Sequence, residues 1–224
     1  MSSFQGGVLF DLDGTLVDTA PDFIRAANEL RNQHGFVTLA PETIAEQVSN
    51  GAIAVTRVTF GIDEQHAQFD ARRQELLDSY EKHLGAAAVL YPGLDELLAQ
   101  FEQQAIPWGV VTNKPERYAQ PLLERLALDQ RCSVLVCPDH LVDRKPHPEG
   151  LLLGAKKISR PAADCIYVGD HVRDIEAGRA AGMHTIAAAF GYLAAHDDPA
   201  SWRADQIAAT PAMLCEQLLA KIQR

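Results

Sequence analysis

The chain of 224 residues is poor in cysteine and in aromatic residues, and it contains no long apolar run. Charge-free stretches such as residues 185–195 fall well short of the ~18 residues that a membrane-spanning helix needs. The first residues lack the basic segment that begins a secretory signal, and the apolar run that follows them soon meets Asp11. We therefore expect a cytoplasmic protein that has no membrane partner.

Runs of basic residues are also missing, since none is longer than the pairs Arg72-Arg73 and Lys156-Lys157. Thirty acidic against 20 basic residues give a formal charge of −10. A protein that binds nucleic acid normally carries a basic stripe, so we expect no nucleic-acid partner. The four cysteines show no Cys-x-x-Cys spacing, which favours reduced packing residues over a zinc site.

Short apolar segments alternate with helical patterns along most of the chain, which predicts an α/β fold with a parallel sheet covered on both faces. The predicted strands are residues 7–10, 108–112, 133–137, 165–168, 185–190 and 206–208. Helical patterns at about 41–49, 52–60 and 64–84 interrupt this alternation after the first strand, and they predict a separate helical module over residues 18–90.

Polar side chains follow the predicted strands at the points where these end. They are Asp11 and Asp13, Thr112 and Asn113, Asp170, and Lys145 in the loop beyond the strand at 133–137. Ligands of open α/β sheets bind outside the carboxyl ends of the strands, so these side chains are expected to converge. Crowded carboxylates need a cation, and oxygen ligands favour Mg²⁺. With a lysine and a hydroxyl nearby, this set indicates phosphoryl transfer.

Four segments resemble the motifs of the haloacid-dehalogenase superfamily, in the order that this family has. They are Asp-Leu-Asp-Gly-Thr-Leu-Val-Asp-Thr at 11–19, Thr-Asn at 112–113, Lys145, and Gly-Asp-His-Val-Arg-Asp at 169–174. The resemblance implies a Rossmann-like parallel-sheet core over residues 1–17 and 91–224, with an inserted all-α cap over residues 18–90. The acid at Asp13 argues against the dehalogenases of the superfamily, which lack it.

The same resemblance implies a role for each matching residue. Asp11 is expected to be the nucleophile that forms an aspartyl-phosphate, and Asp13 the general acid and base. Thr112, the Asn113 backbone amide and Lys145 are expected to hold the phosphoryl group. The expected Mg²⁺ ligands are the Asp11 carboxylate, the Asp13 backbone carbonyl, Asp170 and Asp174. Asn50 and Gly51 are expected to contact the substrate from a loop of the cap, although they could also simply be the C-terminus of a helix.

Within the superfamily, residues 18–22 and 49–52 resemble the phosphoglycolate phosphatase-like group. Residues 108–115, 137–140 and 174–176, and the tail around 191–192 and 202–205, are similar to the N-acetylmuramic acid 6-phosphate phosphatases of cell-wall recycling. We therefore expect a phosphatase whose partner is a small phosphorylated metabolite. Two alternatives stay open: a sugar phosphomutase of the β-phosphoglucomutase type, and a catalytically silent metal-binding module. The sequence leaves the oligomeric state open.

Overall fold

A computed structural model describes residues 4–223 and contains eight strands within that range. In chain order the strands are β1 (Val8–Phe10), β2 (Val17–Asp18), β3 (Val89–Leu90), β4 (Trp108–Val111), β5 (Leu135–Val136), β6 (Ile166–Gly169), β7 (His184–Ala188) and β8 (Gln206–Ala208). Residues 1–3, on which the expectation of no secretory signal partly rests, lie outside the described residues.

The described residues also form nine α-helices. They are α1 (Ala20–Gln33), α2 (Pro41–Ala45), α3 (Gly51–Phe60), α4 (Phe69–His83), α5 (Leu94–Gln103), α6 (Glu116–Arg125), α7 (Glu149–Lys157), α8 (Val172–Ala180) and α9 (Pro211–Ile222). No helix in this part of the chain combines the length and the apolar character that crossing a bilayer requires.

Six strands form one parallel sheet in the order β5-β4-β1-β6-β7-β8. β1 lies between β4 and β6, where Leu9 is paired with Gly109 on one side and with Tyr167 on the other. Successive side chains of a strand point to opposite faces. Val8 and Phe10 accordingly pack in one apolar cluster, with residues of α5 and α9, while Leu9 packs in another with residues of α7. The predicted parallel sheet is confirmed.

Helices α1 to α4 form the predicted helical insert, which follows the first strand of the sheet. Within it, α1 packs against the other three helices, and Phe23 of α1 stacks on Tyr80 of α4 with ring centroids 3.8 Å apart. The chain passes into and out of the insert through an antiparallel ribbon of β2 and β3, in which Val17 pairs with Leu90. The predicted boundaries at residues 18 and 90 fall in this ribbon; the division into two domains stays a prediction.

Two helix boundaries of the insert differ from the sequence expectation. α4 begins at Phe69 rather than near Glu64, because Glu64 is ion-paired with Arg57 and the backbone from Asp63 forms turns. An oxygen of the Asp63 side chain accepts the backbone N–H of Gln65, which is a turn that competes with a helix start. α2 ends at Ala45 instead of continuing to residue 49, because i to i+3 hydrogen bonds replace the helical ones beyond it.

Candidate active site

Three neighbouring strands end at the same edge of the sheet and deliver the predicted polar residues there. Asp11 follows β1, Thr112 follows β4 and Asp170 follows β6. The Asp11 backbone N–H donates to the Val168 carbonyl at 2.8 Å, so the residue continues the strand pairing before the chain turns. This edge carries the candidate site that the sequence predicted.

The centre of the site is a group of three buried carboxylates. Oxygen atoms of Asp11, Asp170 and Asp174 all lie within 4.8 Å of one another. Asp174 comes from the first turn of α8, where it also accepts a hydrogen bond from the His171 backbone N–H at 3.1 Å. Three carboxylates this close repel each other unless a cation lies among them. The arrangement is therefore able to hold a metal ion.

Lys145 lies beside this group and supplies one buried positive charge. Its Nζ atom lies 2.8 Å from Oδ1 of Asp11 and 2.6 Å from Oδ1 of Asp174, and it is also bonded to the Tyr167 hydroxyl and the Val111 carbonyl. Burial by itself lowers the pKa of Lys145, but the charges of Asp11 and Asp174 outweigh burial and raise that pKa. Lys145 is therefore a fixed cation at neutral pH.

Asn113 contacts the loop that carries Lys145, and Thr112 is bonded within its own loop. The Asn113 side chain donates to the Lys145 carbonyl at 3.1 Å and accepts the Lys145 backbone N–H at 3.2 Å, which fixes the loop that carries this lysine. The Thr112 hydroxyl accepts the backbone N–H of Lys114 at 3.1 Å. Both predicted residues thus lie at the site, and the Asn113 side chain orients Lys145.

Asp170 is almost completely buried and is held by several hydrogen bonds. Its oxygens accept hydrogen bonds from the Ser49 hydroxyl at 2.7 Å, the Tyr192 backbone N–H at 3.0 Å and the Thr15 hydroxyl at 3.3 Å. Burial and the charges of Asp11 and Asp174 nevertheless raise the pKa of Asp170 to about 7. In the absence of a metal ion this carboxyl group is therefore expected to be partly protonated at neutral pH.

Two glycines allow the backbone to approach Asp170 closely. Gly14 has a φ angle of 79°, and a Cβ atom there would collide with the Asp170 carboxylate. A Cβ atom on Gly191 would collide with the Asp170 side chain and with the Gly14 carbonyl. The loop after β1 and the loop after β7 can therefore both close around Asp170 only with glycine at these positions.

The Asp13 carboxylate points to partners other than the acidic group. Its Oδ1 atom accepts hydrogen bonds from the Thr19 hydroxyl at 2.6 Å and from Nζ of Lys114 at 2.9 Å. Lys114 is buried and also donates to the Tyr80 hydroxyl of α4 at 2.8 Å. Burial lowers the pKa of Lys114, but the charge of Asp13 and the Tyr80 hydroxyl more than offset this, so that the pKa is raised.

Lys114 is a site residue that the sequence analysis did not single out. The signal available for it was its position directly after Thr112 and Asn113 at the end of β4. That position does not distinguish a buried lysine from a solvated one, because the rings that cover Lys114, Tyr80 of α4 and Phe23 of α1, come from the helical insert.

Tyr192 was missed as well, and it joins the acidic group to the start of the helical insert. Its hydroxyl oxygen accepts the backbone N–H groups of Thr19 at 2.6 Å and Ala20 at 2.7 Å, and it donates to Oδ1 of Asp18 at 2.6 Å. The first turn of α1 thus receives its capping oxygen from a residue far along the chain. The same residue bonds Asp170 through its backbone N–H.

Asn50 and Gly51 lie at the beginning of α3, where Asn50 is exposed. They start this helix; the alternative that they only end the preceding one is wrong, because α2 stops at Ala45. Among the described residues no hydrogen bond joins Asn50 or Gly51 to the acidic group. Their neighbour Ser49 does reach it, through Asp170, and its carbonyl oxygen accepts from Arg173. Substrate contact by Asn50 and Gly51 stays a prediction.

His171 lies next to Asp170 in the sequence and has a structural contact. Its Nδ1 atom accepts the backbone N–H of Arg173 at 3.2 Å, which caps α8. Burial and the nearby Arg173 charge lower the pKa of His171 to about 4. The ring is therefore neutral at physiological pH, as an acceptor at a helix start must be.

Comparison with known proteins gives the same family as the site motifs. Residues 8–188 match the family model described as haloacid dehalogenase-like hydrolase. An N-acetylmuramic acid 6-phosphate phosphatase from Pseudomonas aeruginosa is 43% identical over 211 residues, covering 94% of this chain and 93% of the relative. A phosphoglycolate phosphatase from Xanthomonas campestris pv. campestris is 44% identical over 213 residues, covering 95% of this chain and 96% of the relative.

A solved structure resembles the whole chain. The crystal structure of a "predicted phosphoglycolate phosphatase" from Haemophilus somnus 129pt superposes with a TM-score of 0.83 at 25% identity, covering 97% of this chain and 99% of that one. Taken with the family match over residues 8–188 and the sheet-edge site, these similarities show that the chain belongs to the haloacid dehalogenase-like hydrolases.

Proposed function

We propose that this chain is a Mg²⁺-dependent phosphatase that hydrolyses a small phosphomonoester through an aspartyl-phosphate on Asp11. The observation that carries the proposal is the buried group of Asp11, Asp170 and Asp174 beside the Lys145 ammonium. Relatives that cover nearly the whole chain are phosphatases, which supports the same reaction.

The donor set fits a hard divalent cation. Asp11, Asp170 and Asp174 offer only oxygen atoms, lie within 4.8 Å of one another, and carry more negative charge than Lys145 alone balances. Mg²⁺ prefers carboxylates and a phosphate, whereas thiolate or imidazole sites suit other metals. In this proposal the Asp11 and Asp170 carboxylates and the Asp13 backbone carbonyl hold Mg²⁺, with Asp174 close by, directly or through a water molecule. When bound, Mg²⁺ neutralises charge on the transferring phosphoryl group.

The first chemical step uses both aspartates of the loop after β1. A carboxylate oxygen of Asp11 attacks phosphorus as the bond from phosphorus to the ester oxygen breaks, and Asp13 gives its proton to the departing oxygen. The Thr112 hydroxyl, the Asn113 backbone amide and the Lys145 ammonium hold the phosphoryl oxygens. Such steps are accelerated mainly by positioning and by charge stabilisation, which is what these groups provide.

The second step returns the enzyme to its starting form. Asp13, now a carboxylate, takes a proton from water as that water attacks phosphorus, and the bond between phosphorus and the Asp11 oxygen breaks. The products are inorganic phosphate and the free Asp11 carboxylate. The hydrogen bond to Asp13 from the Thr19 hydroxyl supports this role because it holds the carboxyl group in place.

We propose that the substrate is either phosphoglycolate or N-acetylmuramic acid 6-phosphate, because similar proteins are phosphatases of these two compounds. The second substrate would place the enzyme in cell-wall recycling. Both are small phosphomonoesters that also carry a carboxylate. We propose that Asn50 and Gly51 contact the part of the substrate that leaves, because Ser49 beside them reaches Asp170 from the insert.

The test is a phosphate-release assay in Mg²⁺ with phosphoglycolate, N-acetylmuramic acid 6-phosphate and common hexose phosphates. The expected result is Mg²⁺-dependent release from one of the first two and loss of release in EDTA. No release from any phosphomonoester would contradict the proposal in favour of a silent module. Conversion of a sugar 1-phosphate to its 6-isomer without net release would contradict it in favour of a phosphomutase.

A further inference from the structure

Two buried ammonium groups lie at this edge of the sheet, and they have different partners. Lys145 contacts Asp11 and Asp174 in the acidic group. Lys114 instead contacts Asp13, with 2.9 Å between Nζ and Oδ1, and its side chain is only 5% exposed. The proposed chemistry uses Lys145 and gives Lys114 no role. Burying an ammonium costs free energy unless it is paired, so the buried position of Lys114 calls for a reason.

The hydrogen bonds to Asp13 select one of its two oxygens. Within the described residues, both the Thr19 hydroxyl and the Lys114 ammonium bond Oδ1. Two donors on a single oxygen fix the rotation of the carboxyl group about its own axis, and they occupy that oxygen. Oδ2 is thereby left as the oxygen that can exchange a proton with the ester oxygen.

The helical insert holds Lys114 in place. Its Nζ donates to the Tyr80 hydroxyl at 2.8 Å and lies 4.8 Å from the centroid of the Tyr80 ring and 5.4 Å from that of Phe23. These rings stack on each other, one from α4 and the other from α1. The ammonium therefore contacts Asp13 in the loop after β1 and two aromatic rings of the insert.

We propose that Lys114 is a positioning residue, held by Tyr80 of the insert, which orients Asp13 so that Oδ2 protonates the leaving oxygen. This inference rests on the proposed phosphatase reaction. In this proposal Lys114 acts through Asp13 and does not itself contact the reacting atoms. Its backbone N–H bond to the Thr112 hydroxyl ties the same residue to the expected phosphate-binding strand end.

The dependence of kcat/KM on the leaving group distinguishes this positioning role from a merely structural one. Phenoxide is a poor leaving group that needs a proton, whereas p-nitrophenoxide leaves with much less help. Neither phenyl phosphate nor p-nitrophenyl phosphate carries a carboxylate, so a change in the binding of a substrate carboxylate does not affect the comparison. The value of kcat/KM reports the first step, in which Asp13 acts as the acid.

We expect Lys114→Met to lower kcat/KM about 100-fold for phenyl phosphate and about tenfold or less for p-nitrophenyl phosphate, which is within the range of general acid catalysis. Tyr80→Phe removes only the hydroxyl and keeps the stacked rings. It is expected to change the ratio of the two kcat/KM values in the same direction by about threefold, and it provides the test if Lys114→Met does not fold.

The matched control is Tyr118→Phe. Tyr118 is buried with its ring centroid 5.8 Å from that of Tyr80, and within the described residues its hydroxyl has no hydrogen-bond partner. This variant is expected to keep the wild-type ratio. Equal losses for both aryl phosphates in folded Lys114→Met, or an unchanged ratio in Tyr80→Phe, would overturn the proposal. If the wild type itself releases no phosphate from any ester, the proposed function fails instead, which is a different outcome.

Discussion

The Lys145 ammonium lies 2.6 Å from Oδ1 of Asp174, with neither side chain more than 2% exposed. The lysine comes from the loop after β5 and the aspartate from the first turn of α8, so the contact joins this loop to the start of the helix at the sheet edge. The Tyr167 hydroxyl bonds both groups, at 2.7 Å to Nζ and 3.3 Å to Oδ1. The pair therefore holds part of the negative charge of the site in place before any metal binds.

We predict that Lys145→Met destabilises the metal-free protein by about 3–5 kcal/mol, because it leaves buried carboxylates without their cation. Urea unfolding in EDTA measures this change. Mg²⁺ is expected to restore part of the lost stability, since it supplies positive charge to the same carboxylates. The control is Lys156→Met on the exposed face of α7, which should change the free energy of unfolding very little. A Lys145 variant as stable as the control would contradict the prediction.

Asp170 gives the metal-free protein a specific pH dependence. Its pKa is raised to about 7 in the folded chain, while an unfolded aspartate titrates near 3.9. Between these values the folded state holds a proton that the unfolded state has lost. The free energy of unfolding in EDTA should therefore fall, by about 2 kcal/mol from this residue, as the pH rises from 5 to 7.

Urea unfolding of the wild type and Asp170→Asn at both pH values checks this prediction. The variant cannot titrate at this position, so its stability should change less over the same interval. In Mg²⁺ the wild-type decrease should disappear, because the cation binds the ionised carboxylate. Equal pH dependence of both proteins in EDTA would show that Asp170 does not titrate in this range.

Removal of the Tyr192 hydroxyl should loosen the start of the helical insert. Tyr192→Phe leaves the buried Thr19 backbone N–H without its acceptor, and the Ala20 backbone N–H keeps only its longer bond to Oδ1 of Asp18 at 3.3 Å. The expected loss is about 1–3 kcal/mol in the free energy of unfolding. The backbone N–H bond to Asp170 remains in this variant, so the increase in Tm that we expect when Mg²⁺ binds should be retained. A stability equal to that of Tyr118→Phe would contradict the prediction.

The sequence predicted the converging strand ends because that information is local. A short apolar run followed at once by Asp11, or by Thr112 and Asn113, is visible in a few residues, and parallel strands bring such ends to one edge. Asp170 and Lys145 followed from the strand ends in the same way, and the family motifs added Asp174.

The contacts that the sequence did not predict join residues far apart in the chain. Lys114 meets Asp13 across 101 positions, and Tyr192 meets Thr19 across 173. No pattern around Lys114 shows that α4 buries it, and none around Tyr192 shows that its hydroxyl caps α1. The two-residue strands β2 and β3 were also missed, because they are too short to give a periodic signal.

Asp13→Asn should separate metal binding from catalysis. The proposed metal ligand at this position is the backbone carbonyl, which the substitution keeps, and the amide oxygen can still accept from Lys114. We therefore expect turnover to fall by about 100-fold or more while the Mg²⁺-dependent rise in Tm persists. Asp170→Asn is the contrasting variant and should lose that rise. Complete loss of the Mg²⁺ effect in Asp13→Asn would contradict this assignment of ligands.

The most direct test of the account is chemical trapping of the intermediate on Asp11. Acid quenching of the enzyme during turnover, followed by borohydride reduction and peptide mass spectrometry, converts an aspartyl-phosphate into homoserine at its own position. We predict homoserine at residue 11 in the wild type, with neither homoserine nor turnover in a folded Asp11→Asn variant. Sustained phosphate release by Asp11→Asn, or homoserine at another aspartate, would contradict the assignment of Asp11 as the nucleophile.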